Sequence, residues 1–191
     1  SVVMSRVSET EAFAGTLVFA DSEPNATLFE YAVSNADGFD VFNASSVQRI
    51  SRAFIVPTST AKVVKEVTLY MRKTGTPAGS FTVQLVRQSG SDPSSLSSDM
   101  LAESQPISVA GLAGGSDIVV SVPITAVLKA GTYHFVVVPD ATYIASFSST
   151  VNELKLRVDT SGPASPTNRL YNGTVWSAGA NSAVYQILGR V

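Results

Sequence analysis

The chain has 191 residues, of which 45% are hydrophobic and only 15% are charged, and its net charge is −2 at pH 7. Such a composition can fill the core of one all-β domain of this length. No cluster of Lys and Arg is present, which excludes the phosphate contacts of a nucleic-acid-binding surface. No apolar stretch reaches the ~20 residues of a membrane-spanning helix, so no membrane span is predicted. The lack of cysteine excludes disulfides, thiol chemistry and cysteine-ligated metals.

The first 38 residues are less regular than the rest of the chain. They contain two strand-like runs, 12–20 and 27–33, with a turn at 21–25 between them and a strong break at 35–38. We interpret residues 1–38 either as an arm that docks on a neighbouring subunit or as leading strands of the same sandwich.

From residue 39 onwards, short runs of alternating apolar and polar residues are separated by turns rich in Gly and Pro. This pattern predicts strands at 39–43, 50–56, 61–72, 81–87, 101–109, 118–124, 132–138, 144–148, 153–158, 169–171 and 183–188. Residues 89–99 are predicted to be a loop. Pro123 indicates an edge strand or a bulge, because proline cannot donate to a ladder. Regularly spaced short strands without an amphipathic helix predict an all-β, antiparallel β-sandwich over residues 39–191.

Several motifs follow one another in a recognisable order. They are the strand and turn VTLYMRKTGTPAG (67–79) with the strand 81–85 after it, a Ser/Asp/Pro loop (89–93), Leu-Ala-Glu-Ser (101–104), Leu-Lys-Ala-Gly-Thr-Tyr (128–133), and finally Trp176 with the strand 184–189. In this order they resemble the choice-of-anchor R type jelly-roll domain, which occurs on bacterial surface proteins and in phage structural proteins. The resemblance covers about residues 39–191 and does not include 1–38.

The resemblance implies a jelly-roll sandwich with a role in display, adhesion or assembly, in some cases with sugar binding, and it implies no catalytic residue. Nothing like a carboxy-terminal anchor follows Gly189, which favours a free-standing or virion-borne protein over a cell-surface protein. We therefore predict a non-enzymatic structural or display protein, a phage virion component such as a capsid decoration or tail-associated protein, whose arm contacts other protein subunits. No cofactor is expected. The alternative is a carbohydrate-binding module or adhesin at an extracellular bacterial surface.

The segment RLYNGTVW (169–176) is the candidate recognition site. It places Arg169, Tyr171, Asn172 and the only tryptophan, Trp176, around an Asn-Gly turn. Sugar rings stack on Tyr and Trp, while Asn and Arg bond the hydroxyls, so these four residues are the predicted glycan ligands. The competing interpretation is that Trp176 caps one end of the sandwich core, since large aromatic side chains are mostly buried.

Residues suited to catalysis are sparse. The only histidine, His134, lies in an apolar strand without a nucleophile motif nearby, so we interpret it as a packed strand residue rather than a catalytic base or metal ligand. Most aspartates stand beside Gly, Pro or Ser in turns, where a carboxylate bonds the local backbone. No catalytic residue and no metal site is predicted. A glycosidase-type carboxylate pair and a calcium site of loop oxygens remain open alternatives.

Overall fold

The computed structural model describes residues 25–32, 36–57, 61–161 and 167–190. Almost all regular structure in these ranges is β-strand. The elements are β1 (Ala26–Tyr31), β2 (Gly38–Val41), β3 (Arg49–Val56), β4 (Lys62–Thr74), β5 (Ser80–Ser89), β6 (Asp92–Pro93), β7 (Met100–Glu103), β8 (Ile107–Ser108), β9 (Asp117–Leu128), β10 (Gly131–Pro139), α1 (Ala141–Ser146), β11 (Glu153–Asp159), β12 (Arg169–Tyr171), β13 (Trp176–Ala178), β14 (Ser182–Ala183) and β15 (Tyr185–Arg190).

The strands form two antiparallel sheets. Sheet A runs in the order β1, β15, β4, β11, β14, with β2 beside β11 and β9 beside β4. Sheet B runs in the order β13, β12, β3, β10, β5, β6, with β7 and β8 beside β5. Strand β3 pairs with β12, β4 with β11 and β5 with β10, so the pairs are nested along the chain, as in a jelly roll. The predicted all-β, antiparallel β-sandwich is confirmed.

The core lies between the sheets because alternate residues of each strand point inwards. In β10, for example, Tyr133, Phe135 and Val137 are buried in the core. The alternate residues His134 and Val136 are also buried, yet they do not belong to the core cluster. The outer face of sheet B is therefore covered at this point, and the cover forms part of the site described below.

The strand predicted at 144–148 is wrong, because the chain forms helix α1 at Ala141–Ser146. The Asp140 side chain accepts a hydrogen bond from the Tyr143 amide at 2.7 Å, which caps the first turn of the helix. The Tyr143 hydroxyl donates to the Phe42 carbonyl at 2.9 Å and accepts from the Leu154 amide at 2.8 Å. These bonds anchor the helix in the core, and burial raises the pKa of Tyr143 to about 12.

The predicted strand at 101–109 is split into β7 and β8. Between them Ser104 is buried, and its hydroxyl accepts a hydrogen bond from the Val83 amide at 3.0 Å. The Ser104 hydroxyl therefore accepts the hydrogen bond that a backbone carbonyl would accept in a continuous strand.

The interpretation of Pro123 is confirmed. It lies in β9, which among the described strands pairs only with β4. The register shifts between Val64 and Glu66 of β4, where Glu66 stands opposite Pro123, so the proline lies beside a bulge in an edge strand.

The glycines of the 67–79 motif are explained by close packing. Gly75 and Gly79 have φ of 66° and 86°, in the left-handed region that favours glycine. A Cβ at Gly75 would collide with the backbone of Val151, and one at Gly79 with the backbone of Tyr143. In this structure the two glycines let the β4–β5 turn pack against the β10–β11 connection.

Part of the 1–38 segment is a strand of the sandwich. Strand β1 pairs with β15, and the Tyr31 hydroxyl donates a hydrogen bond to Asp159 of β11. The guanidinium of buried Arg52 lies 5.1 Å from the centre of the Tyr31 ring. Residues 1–24 lie outside the described residues, so the predicted arm, and the division into 1–38 and 39–191, stay predictions.

Candidate functional site

A cleft of about 280 Å³ opens on the outer face of sheet B. Its floor is formed by Val136 of β10 together with Gln84 and Val86 of β5. One wall carries Arg49, Tyr171 and Trp176, and the other is built from the β5–β7 connection. The lining residues are Arg49, Gln84, Val86, Pro93, Ser94, Ser95, Leu96, Ser97, Met100, Val136, Tyr171 and Trp176.

The aromatic wall follows from strand register. Tyr171 of β12 stands opposite Arg49 of β3 on one side and opposite Trp176 of β13 on the other. The two rings lie 5.2 Å apart, centre to centre, and are tilted by 46°. The Arg49 guanidinium carbon lies 5.0 Å from the centre of the Tyr171 ring, in a cation–π arrangement.

The turn of this hairpin is held by Asn172. Its side-chain oxygen accepts hydrogen bonds from the amides of Thr174 and Val175, both at 2.9 Å. The Tyr171 hydroxyl donates to the Gly173 carbonyl at 3.0 Å. Asn172 thus shapes the β12–β13 hairpin and is not among the residues that line the cleft.

The two walls are joined by an ion pair between Arg169 of β12 and Asp92 of β6. The side chains are 19% and 35% exposed, so the pair is partly shielded from water. Strand β6 lies against β10, which places the β5–β7 connection over the outer face of sheet B. Arg169 therefore sets the position of the opposite wall instead of pointing a free charge into the cleft.

The four predicted glycan ligands thus divide into two groups. Tyr171 and Trp176 line the cleft, whereas Arg169 and Asn172 hold its walls. Trp176 is half-buried and lies outside the core cluster, so the interpretation of Trp176 as a cap of the sandwich core is wrong. Whether any of the four binds a glycan stays a prediction.

Sequence reasoning missed Arg49, Gln84, Met100 and the serine-rich segment 94–97. The segment was recognisable as a loop, but its position over β5 and β10 depends on Asp92, whose partner Arg169 is 77 residues away. Arg49 precedes a buried strand residue, so alternation could have marked it as outward-facing. Only the pairing of β3 with β12 brings it beside Tyr171.

Several polar groups at the cleft have no hydrogen-bond partner in the described part of the chain. The side chains of Arg49, Ser95, Ser97 and Trp176 make no hydrogen bond there. The Gln84 amide nitrogen donates to Glu103 at 2.9 Å, which leaves the side-chain carbonyl available as an acceptor. Donors and acceptors thus surround an aromatic and aliphatic surface, the arrangement that small-ligand sites have.

A buried Ser–His contact lies beside the cleft. His134 Nδ1 is 3.2 Å from the Ser51 hydroxyl, and both residues are 0% exposed. His134 Nε2 is buried and has no hydrogen-bond partner among the described residues. Because neither side chain reaches solvent, the pair cannot meet a substrate in this conformation. Burial lowers the pKa of His134 to about 4; Asp92 raises the pKa and Arg169 lowers it.

Comparison with protein-family models finds no model that matches this chain, and comparison with curated proteins finds no match either. The resemblance to the choice-of-anchor R type domain therefore stays a prediction. None of the helices in the described ranges is long and apolar enough to cross a membrane. Within those same ranges, no three His, Cys, Asp or Glu side chains come together as metal ligands.

The neutral state of His134 makes stability depend on pH. Because its pKa is about 6.5 when unfolded and about 4 when folded, the unfolded chain binds the proton first as pH falls. We expect the free energy of unfolding to decrease between these two pH values, by up to about 3 kcal/mol in total. Urea denaturation from about pH 7 to about pH 5 measures this decrease, mostly above the range in which carboxylates titrate.

The control for this experiment is His134→Gln, which carries no titrating ring. The chain has no second histidine, so the pH dependence should largely disappear in this variant, whatever the variant costs in absolute stability. An equal decrease in both proteins would show that His134 is not the group responsible.

The Asp92–Arg169 pair should contribute measurably to stability. A double-mutant cycle with Asp92→Ala and Arg169→Ala is expected to give a coupling energy of about 1 kcal/mol, because the pair is partly shielded. The more exposed pair Arg72–Asp117 serves as the matched control and should give a smaller coupling. A larger coupling for the control pair would refute the role assigned to Arg169.

Proposed function

We propose that this protein is a non-catalytic saccharide-binding β-sandwich and that the cleft on sheet B receives the sugar. The observation that carries the proposal is the Tyr171–Trp176 aromatic pair, which lines an open cleft instead of joining the core. A half-buried Trp beside a half-buried Tyr offers the apolar, rigid surface on which a sugar ring stacks.

The polar groups of the cleft support the same function. The Trp176 indole N–H and the hydroxyls of Ser95 and Ser97 are free to bond sugar hydroxyls. The Gln84 carbonyl supplies an acceptor on the floor. Long strands with core residues on their inner faces hold these groups, so the site is largely formed before a ligand arrives.

The composition of the cleft favours binding over catalysis. Among the described residues, Arg49 is the one charged residue that lines the cleft, and no described carboxylate or imidazole does. Glycoside hydrolysis ordinarily needs two carboxyl groups across the scissile bond. The Ser51–His134 pair is buried and cannot act on a bound sugar.

Removal of the aromatic surface tests the proposal. We expect Trp176→Ala to lower affinity for a bound polysaccharide by at least about tenfold while costing no more than about 2 kcal/mol of stability, because the half-buried indole packs on Tyr171 but lies outside the core. Affinity electrophoresis in gels containing laminarin, xyloglucan, galactan or dextran, followed by calorimetry, measures binding. Val127→Ala, an exposed position on β9, is the control and should change neither quantity.

Two outcomes would contradict the proposal. One is unchanged polysaccharide binding in a folded Trp176→Ala protein. The other is a loss of stability near the ~3–5 kcal/mol expected for removal of a core tryptophan.

A second candidate is the structural or display role, in which the protein is a subunit of a larger assembly such as a phage virion. The observation that favours it is β9, a twelve-residue strand that pairs on one side only in the described structure. Its outward side chains include Val119 and Val127, which are 63% and 62% exposed. A long edge strand with exposed apolar residues is a natural template for contact with another subunit.

Self-association through β9 is directly measurable. If this edge forms a subunit contact, Val119→Lys should weaken association by at least about tenfold, because a buried lysine would need a charged partner. Sedimentation velocity over a concentration series provides the measurement, and Ile55→Lys, at a 64% exposed position on β3 of the other sheet, is the matched control for added charge. Wild-type protein that stays monomeric at every concentration would argue against a homo-oligomer formed through β9.

A further inference from the structure

Arg49 differs from Arg169, the other arginine in this wall of the cleft, in having no carboxylate partner among the described residues. Arg169 pairs with Asp92, and on sheet A Arg72 and Arg157 both pair with Asp117. The Arg49 guanidinium contacts the Tyr171 ring, and it forms no ion pair or hydrogen bond with any described residue. A positive charge is thus placed at the cleft without a partner.

Arg49 lines two neighbouring depressions, so a ligand in either of them would contact it. Besides the cleft, it lines a depression of about 480 Å³ whose other residues are Ala44, Gln48, Pro139, Ala141, Ile144 and Ala145. Neither set of lining residues contains a second charge. An extended saccharide that stacks on Trp176 and Tyr171 and continues past Arg49 would enter this second depression.

The acidic residues near the cleft are bound by other side chains of the same chain. Asp99 accepts a hydrogen bond from the Ser94 hydroxyl at 2.6 Å. Glu103 accepts from Gln84 at 2.9 Å and from Thr82 at 3.0 Å. Asp92 is held by Arg169. Their bonds keep these carboxylates away from Arg49, whose charge remains available to a ligand.

The geometry of Arg49 suits an anion that accepts two parallel hydrogen bonds. Stacking on a tyrosine ring fixes the orientation of a guanidinium. The N–H groups along the edge of the guanidinium still donate hydrogen bonds in its plane. A carboxylate matches this fork with two parallel hydrogen bonds. A sugar acid carries such a carboxylate on the same ring that stacks on an aromatic side chain.

We infer that the saccharide received by the cleft is acidic and that Arg49 binds its carboxylate beside the Tyr171–Trp176 surface. The inference rests on the proposed saccharide-binding function and adds the chemical class of the ligand. Arg49 then determines specificity, whereas Tyr171 and Trp176 supply contact area to acidic and neutral sugars alike.

The test compares oligosaccharides that differ only in charge. The probes are oligogalacturonate, hyaluronan oligosaccharides and sialyllactose, each as the free acid and as its methyl ester. Because a charge-assisted bidentate contact is lost in the ester, we expect at least one acid to bind at least about tenfold more tightly than its ester. Fluorescence of Trp176, the only tryptophan, reports binding, and calorimetry supplies the affinity.

Variants assign the effect to Arg49. Arg49→Gln should abolish the preference for the acid over its ester, and Arg49→Lys should retain part of that preference. The matched control is Arg87→Gln, since Arg87 also lies over a tyrosine ring, 5.8 Å from the centre of Tyr133, but does not line the cleft. Raising the salt concentration should narrow the difference between acid and ester.

The possible failures are distinguishable. If acid and ester bind equally, or if a neutral polysaccharide binds and no acid binds better, the inference is overturned and the saccharide-binding function stands. If neither these probes nor the neutral polysaccharides bind, both are overturned. If dextran sulfate binds through Arg49 more tightly than every carboxylate, the assignment to a sugar carboxylate is overturned in favour of a sulfated saccharide.

Discussion

The ion pair between Arg169 and Asp92 determines where the two walls of the cleft stand. It joins a short hairpin to the connection between β5 and β7, and each wall is otherwise held by backbone bonds on its own side of the cleft. On the hairpin side the Gln48 amide donates to the Tyr171 carbonyl at 2.7 Å, and on the other side the Ser94 amide donates to the Arg87 carbonyl at 2.8 Å. Neither bond crosses the cleft, whereas the ion pair does, so we infer that the ion pair helps to set the width of the opening.

The binding surface and the core are built from the same strands. In β3, Arg49 faces the cleft and Ile50 faces the core; in β10, Val136 faces the cleft and Phe135 the core. A slip of one residue in either strand would exchange the two faces, so the packing that selects the register also positions the site. His134 belongs to this arrangement, because its neutral ring fills the space between the sheet and the connection above it without adding a charge beside Arg169.

The sequence was informative where structure is local. Alternation and turn residues predicted most strands, and the Asn-Gly turn brought Tyr171 and Trp176 together because both flank one hairpin. Helix α1 was missed because its cap, Asp140, is fixed by bonds to Ser80, 60 residues away in the chain. Arg49, Gln84 and the serine-rich segment were missed for the same reason, since they meet only when distant strands pair. Arg169 was predicted from the sequence as a glycan ligand, but the structure pairs it with Asp92, a partner that could not be read from the sequence.

Chemical-shift mapping on the ¹⁵N-labelled protein tests most directly whether a saccharide binds in the cleft. In a titration with oligogalacturonate, hyaluronan oligosaccharides and laminarin oligosaccharides in turn, the account predicts shifts for the Trp176 indole N–H and for the amides of Tyr171, Ser95 and Ser97, while the amides of β9 stay unchanged. Shifts that cluster on β9, or spectra unchanged by every one of these oligosaccharides, would contradict the account.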